Sequence, residues 1–308
     1  MGKIAFVFAG QGAQIAGMGR DLYESSPAAR GIFDMGEAAV PGILDLCFEG
    51  PADRLNLTEN AQPCVFLTDL ACAAALGETG LRPDGAAGFS LGEIPAVCFA
   101  DIMSVPDGLE FIKVRAEAMR DCAVKHPGAM FAVLRLSPGC VEEICRGIDG
   151  AYPVNFNCPG QTAAACALGS EDALKSAAAQ KGGKAVKLQV SGAFHSPFMD
   201  AAHDIIKEYL RDKTFRPGRI PVYANFTGNV YDDAARLLSE QVNHPVLWQI
   251  TVENMINDGF DRFIEVGPGA VLSGLISKIN PDVGIFHVSD MKSLEITLKG
   301  AKYERKGS

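Results

Sequence analysis

The stretch Gly88-Phe89-Ser90-Leu91-Gly92 has the residue types and spacing of a nucleophile elbow. In such an elbow a strand ends in a sharp turn and a helix begins at once, leaving the serine hydroxyl clear of the chain. The flanking glycines are needed because a Cβ would collide where strand and helix nearly touch. The N–H of Leu91 then points at a developing oxyanion, and the new helix adds the positive end of its dipole. The rival reading is an ordinary strand–turn–helix serine, since the chain holds 33 glycines and the pentapeptide can arise by chance.

A serine nucleophile needs a base, and histidine is the usual one. The five candidates are His126, His195, His203, His244 and His287. A single histidine is more often a satisfied structural residue. His195 is the best placed, because it follows the small residues Ser191-Gly192-Ala193 where the chain passes between two differently textured regions, and clefts form at such junctions. No aspartate or glutamate stands out as the third member of a triad, so a backbone carbonyl or an amide is expected to orient the base. Arg115 borders the apolar stripe Val105, Leu109, Ile112, Ala116 and Met119, and taken alone it reads as a surface arginine paired with a nearby glutamate.

Several elements must position these groups. Strand Lys3–Phe8 runs into Ala9-Gly10-Gln11-Gly12. A dinucleotide-binding loop would need a third glycine where Ile15 stands, so the loop instead reads as a close-approach turn whose Gln11 N–H can serve as a second oxyanion donor. Helices are expected from Pro27 to Ala39, from Gln62 to Gly77 and from Ser104 onward, the last with a serine cap and an acid three residues later. Pro95 fits the elbow helix only in or just after its first turn.

From Met130 to Val190 the order is β-α-β-β-α-β, which is the ferredoxin-like arrangement. An amphipathic helix carrying Phe198, Ala201, Ala202, Ile205 and Tyr209 follows. Strands and helices then alternate through strand Arg262–Val266, helix Val271–Ile279, strand Gly284–Val288 and helix Met291–Leu298, with Lys299–Ser308 read as a frayed tail. Alternation of this kind means a parallel sheet with helices on both faces. The fold class expected is α/β: an α/β-hydrolase-like large domain of residues 1–125 and 193–308, and an inserted ferredoxin-like small domain of residues 126–192.

With 308 residues, 48% hydrophobic and 21% charged, the chain has the balance of a globular protein with a sizeable core. No apolar run is long enough for a membrane span, and the short opening strand is no export signal, so a cytoplasmic protein is expected. A net charge of −9 argues against nucleic acid and anionic membranes as partners. Nine cysteines without a C-x-x-C spacing read as small buried thiols.

Taken together the motifs resemble the malonyl-CoA:acyl carrier protein transacylases and the related acyltransferase domains of polyketide synthases. The likeness runs from Lys3 to Leu298. It covers Gly10-Gln11-Gly12, the elbow with Glu93, Arg115 with Met119, and Asn155-Phe156-Asn157-Cys158-Pro159-Gly160-Gln161. It continues through Ala193-Phe194-His195, Pro245-Val246-Leu247-Trp248 and Glu265-Val266-Gly267-Pro268-Gly269. The resemblance implies a two-step transfer without a cofactor, from malonyl-CoA to Ser90 and then to the phosphopantetheine thiol of acyl carrier protein. It implies His195 as general base, the N–H groups of Gln11 and Leu91 as the oxyanion hole, and Arg115 as a bidentate clamp on the malonyl carboxylate. Met119, Asn157 and Phe194 would line the acyl pocket, with Phe194 leaving little room for an α-methyl group. A carbonyl near Pro245–Trp248, matching Leu247, would orient the base, and the protein would be a monomer.

Phe89, where the family commonly has histidine, Arg120, where glutamine is common, and Pro95 depart from that pattern. A serine hydrolase or thioesterase, in which water replaces the carrier thiol, and a non-catalytic carrier-binding module are the competing readings.

Overall fold

The computed structural model describes the backbone of residues 2–306 and the side chains through residue 300. Among these residues the strands are, in chain order, β1 (Lys3–Phe8), β2 (Gly85–Gly88), β3 (Gly128–Leu134), β4 (Ala151–Cys158), β5 (Gln161–Ala167), β6 (Lys184–Lys187), β7 (Val222–Tyr223), β8 (Phe260–Val266) and β9 (Gly284–Val288). They form a five-stranded sheet ordered β7-β2-β1-β8-β9 and a four-stranded sheet ordered β4-β5-β3-β6. Every pairing in the first is parallel, and every pairing in the second is antiparallel. The molecule is therefore an α/β protein with a parallel sheet and a separate antiparallel one.

The parallel sheet follows from its sequence. Ile4 to Ala9 is an unbroken buried run, as expected of a strand covered on both faces by crossover helices. Two apolar clusters flank it. One contains Phe6 and Phe8 with the helices of the N-terminal half, and the other contains Ala5, Val7 and Trp248. Alternation along a single strand sends successive side chains to opposite sides.

The antiparallel sheet uses the same rule. Ala129, Phe131 and Val133 pack under the helices Pro138–Arg146 and Glu171–Gln180. Met130, Ala163 and Ala165 face the other way and join the main core. A further tie comes from β4, where Phe156 N–H donates to the Val246 carbonyl at 2.9 Å and Val246 N–H to that of Val154 at 2.9 Å. Those two bonds fix the small sheet against the segment that leads into the helix Trp248–Asn257.

Most expected elements are present, with three differences. The helix predicted from Gln62 begins at Thr58 and takes Pro63 into its interior. The amphipathic helix is Asp200–Arg211, and its buried stripe is Ala202, Ile206 and Leu210, while Ile205 is half-exposed. The final helix starts at Met291 and runs to Lys306 instead of stopping at Leu298. The side chains of residues 301–308, on which the reading of a frayed tail rests, lie outside the described residues. All nine cysteines are free, and all but Cys140 are buried. No helix among the described residues is long and apolar enough to cross a membrane.

Candidate active site

Strand β2 ends at Gly88, and the chain passes through Phe89 into the single turn Ser90–Gly92 and then the helix Glu93–Phe99. Ser90 has φ of 52°, the left-handed region that a non-glycine residue enters only when its surroundings hold it there. The glycines on either side are dictated by contact. A Cβ on Gly88 would sit 1.9 Å from the Gly92 carbonyl oxygen, and one on Gly92 would sit 2.2 Å from that of Phe8. Asn225 braces the turn from outside. Its Oδ1 accepts the Ser90 N–H at 2.6 Å, and its Nδ2 donates to the Gly88 carbonyl at 2.6 Å. Pro95 is the third residue of the elbow helix, where its missing N–H removes no helical bond.

His195 lies where the chain returns from the small sheet, also with a positive φ, of 60°. Its Nε2 is 2.7 Å from Ser90 Oγ, and its Nδ1 is 2.8 Å from the main-chain carbonyl oxygen of Gln241. A carbonyl can only accept, so Nδ1 carries the proton and Nε2 presents its lone pair to the serine hydroxyl. Burial, and then the charge of Arg115, lower the His195 pKa to about 4, against the opposing backbone bonds of Gln241 and His244. The imidazole is thus neutral at physiological pH, with its Nε2 lone pair available to the serine hydroxyl.

The orienting carbonyl is a correction to the expectation for Leu247. The Leu247 carbonyl accepts the N–H and hydroxyl of Thr251, each at 2.9 Å, and its N–H donates to the Asn225 carbonyl at 2.9 Å. Leu247 caps the helix Trp248–Asn257 and is not on the cavity wall. Gln241, at the end of the helix Ala234–Glu240, takes the expected role instead.

Arg115 is buried within the helix Val105–Lys125 and is not a surface residue. Its Nη1 donates to Gln62 Oε1 at 2.9 Å. Its Nη2 donates to Gln241 Oε1 at 2.9 Å and to Ser90 Oγ at 3.2 Å. No carboxylate of the described residues lies within 4.0 Å of it, and its Nε–H has no acceptor. Burial lowers its pKa to about 10, opposed by the charge of Glu93. Glu93 is joined to it through Gln241, whose Nε2 donates to Glu93 Oε2 at 2.6 Å and to the Ser90 carbonyl at 2.8 Å. Burial pushes Glu93 up to about 7, opposed by hydrogen bonds from Gln241 and Tyr231.

Ser90 and His195 open onto a cavity of about 590 Å³ between the two sheets. Gln11, Met119, Asn157 and Phe194 line it. The Gln11 N–H has no acceptor among the described residues, and its side chain is held by Thr58 and Gln62, each at 3.2 Å. Asn157 Oδ1 is buried without a partner. Phe89 also lines the cavity, and its ring packs edge-on against Trp248 with centroids 5.7 Å apart. The aromatic contact accounts for a phenylalanine there. Arg120 pairs with Asp121 at 2.9 Å, is partly exposed and stays off the cavity wall.

Sequence reasoning found the nucleophile and base but missed Gln62, Gln241, Asn225 and Tyr231, and it used Glu93 only as part of a motif. A signal existed for two of them. Gln62 and Glu93 stand alone in apolar runs, Ala61-Gln62-Pro63-Cys64-Val65 and Leu91-Gly92-Glu93-Ile94-Pro95, and a polar side chain buried in such a run needs partners.

The arrangement can acylate a serine. Residues 5–297 match the family described as the acyl transferase domain. The malonyl CoA-acyl carrier protein transacylase of Bacillus subtilis is 37% identical over 317 residues, covering 99% of each chain. The crystal structure of the protein of that name from Clostridium perfringens superposes with a TM-score of 0.95 at 34% identity, over 98% of each chain. A malonyl-transacylase in complex with its type II PKS acyl-carrier protein superposes at 0.93, with 29% identity, over 96% of this chain and 99% of that one. Through a family match along nearly its whole length and these relatives, the chain belongs to the acyl transferase family, among the malonyl CoA-acyl carrier protein transacylases.

Proposed function

We propose that the chain moves a malonyl group from malonyl-CoA to the phosphopantetheine thiol of an acyl carrier protein, by a ping-pong reaction through a malonyl ester of Ser90. The observation that carries this reading is Arg115, a buried cation with no carboxylate beside it and 3.2 Å from the nucleophile. Of its five N–H donors three are engaged, and the contact to Ser90 Oγ is released once that oxygen is acylated. A malonyl carboxylate supplies the direct contact that Glu93, held off by Gln241, does not make. It also holds the thioester carbonyl against Ser90, which an acetyl group has no means to do.

In the first step His195 Nε2 takes the hydroxyl proton as Ser90 Oγ attacks the thioester carbon. The Gln11 and Leu91 N–H groups receive the oxyanion, the C–S bond breaks, and the coenzyme A thiolate leaves with the proton from His195. The second step runs in reverse with the carrier thiol as nucleophile. No cofactor takes part. Met119, Asn157 and Phe194 shape the acyl site. The resemblance also supports a division into an α/β-hydrolase-like domain of residues 1–125 and 193–308 and a ferredoxin-like domain of residues 126–192, acting as a monomer in the cytoplasm.

The competing reading is a thioesterase on the same serine. Incubation with malonyl-CoA and a pantetheinylated carrier protein separates the two. Transfer is expected to yield malonyl-carrier in proportion to coenzyme A released. Release of free malonate with no loaded carrier would overturn it.

A further inference from the structure

Arg115 and Glu93 are both buried, and one amide joins them. Gln241 Oε1 accepts from Arg115 Nη2 at 2.9 Å, while Gln241 Nε2 donates to Glu93 Oε2 at 2.6 Å. Glu93 receives a second hydrogen bond from the Tyr231 hydroxyl. The titratable groups around Glu93 are thus Tyr231 and Arg115, with His195 one step further through the Gln241 carbonyl. With the site empty, the buried charges of Arg115 and an ionised Glu93 cancel. A substrate carboxylate on Arg115 leaves the site with two anions and one cation in a medium that disfavours net charge.

We propose that Glu93 is the resident counter-ion of Arg115 and takes up a proton when the acyl carboxylate of the substrate engages that arginine. The inference rests on the reading of Arg115 as the carboxylate clamp. The balance is simple: the substrate carboxylate stays ionised on the guanidinium, and one solvent proton converts the Glu93 carboxylate to the acid. Protonated Glu93 still accepts from Gln241, so Gln241 keeps its hold on Ser90 and Arg115. Burial already pushes the Glu93 pKa up to about 7, and a second anion nearby moves it in the same direction. The effect is on selectivity: the preference for a carboxylated acyl group weakens as pH rises.

The test uses the intact Ser90→Ala protein, which binds without turnover. Calorimetric titration with malonyl-CoA and with acetyl-CoA at pH 8, in two buffers of different ionisation enthalpy, counts protons taken up. The expected result is about one proton per malonyl-CoA, none per acetyl-CoA, and none for malonyl-CoA after Glu93→Gln is added. Malonyl-CoA bound tightly with no uptake would overturn the proposal, as would uptake that persists in Glu93→Gln, which would place the proton on His195. If instead malonyl-CoA binds no better than acetyl-CoA, the clamp reading itself fails. Glu93→Asp, which keeps the charge, is expected to restore the uptake.

Discussion

Replacing Arg115 by alanine separates its two roles. The substitution removes a buried guanidinium that Gln62 and Gln241 both bond, at 2.9 Å each, so some general loss of packing is expected for every substrate. The selective loss is larger. A carboxylate on Arg115 takes two donors on one edge of the guanidinium, the Nη2–H released from Ser90 Oγ and the unpaired N–H beside it on Nε or Nη1. Hydrogen bonds to charged groups contribute about 1.5–3 kcal/mol each, so two are worth about 3 kcal/mol at the low end. That converts to roughly a 100-fold change in relative kcat/KM.

The assay compares acyl-enzyme formation from malonyl-CoA and acetyl-CoA in wild type and Arg115→Ala. The malonyl-to-acetyl ratio is expected to fall about 100-fold, with acetyl transfer changed far less. Arg115→Lys keeps a charge without the planar fork and is expected to recover only part of the ratio. Equal losses for both substrates would show that Arg115 is structural and would refute the argument.

Because the His195 pKa is lowered to about 4, the base stays unprotonated through mildly acid conditions. The acid limb of the rate of acetyl transfer is therefore expected to fall only below about pH 5, and a fall centred near 6.5 would show an unburied imidazole. Gly92→Ala places a Cβ 2.2 Å and 2.5 Å from two main-chain oxygens of the β1 end. It is expected to cost on the order of 3 kcal/mol in chemical denaturation and to abolish acylation. Asp69 is buried with neither carboxyl oxygen bonded, and burial with the nearby charge of Glu265 raises its pKa well above the usual range. Its folded-state pKa is raised, so stability is fullest below the unfolded value and is lost as pH rises above about 4. Asp69→Asn is expected to raise the thermal midpoint at pH 8 and to leave it little changed at pH 4; an equal shift at both would refute the assignment.

The strand–turn–helix serine was legible because the elbow is local: two glycines, one strand and one helix decide it within a dozen residues. The parallel sheet was legible through the alternation of strands and helices, and the antiparallel one through its β-α-β-β-α-β order. What the sequence did not disclose is assembled from distance. Gln62, Arg115, Asn225 and Gln241 stand 28, 25, 135 and 151 positions from Ser90. A lone amide has no spacing rule that announces such a meeting. The placing of the orienting carbonyl failed for the same reason. The turn after the helix Ala234–Glu240 brings Gln241, six residues before Leu247, under the imidazole. The depth of Arg115 was hidden because an arginine beside an apolar stripe is usually at the surface, and only tertiary packing seals this one in.

The central claim is that Ser90 carries the malonyl group. Brief incubation of the wild-type protein with malonyl-CoA, followed by acid quench and mass spectrometry of the peptide containing Gly88–Gly92, tests it directly. The account predicts one malonyl adduct on Ser90, absent in Ser90→Ala and discharged on addition of pantetheinylated carrier protein. An unmodified Ser90 in a protein that still loads the carrier, or an adduct on any other residue, would contradict it.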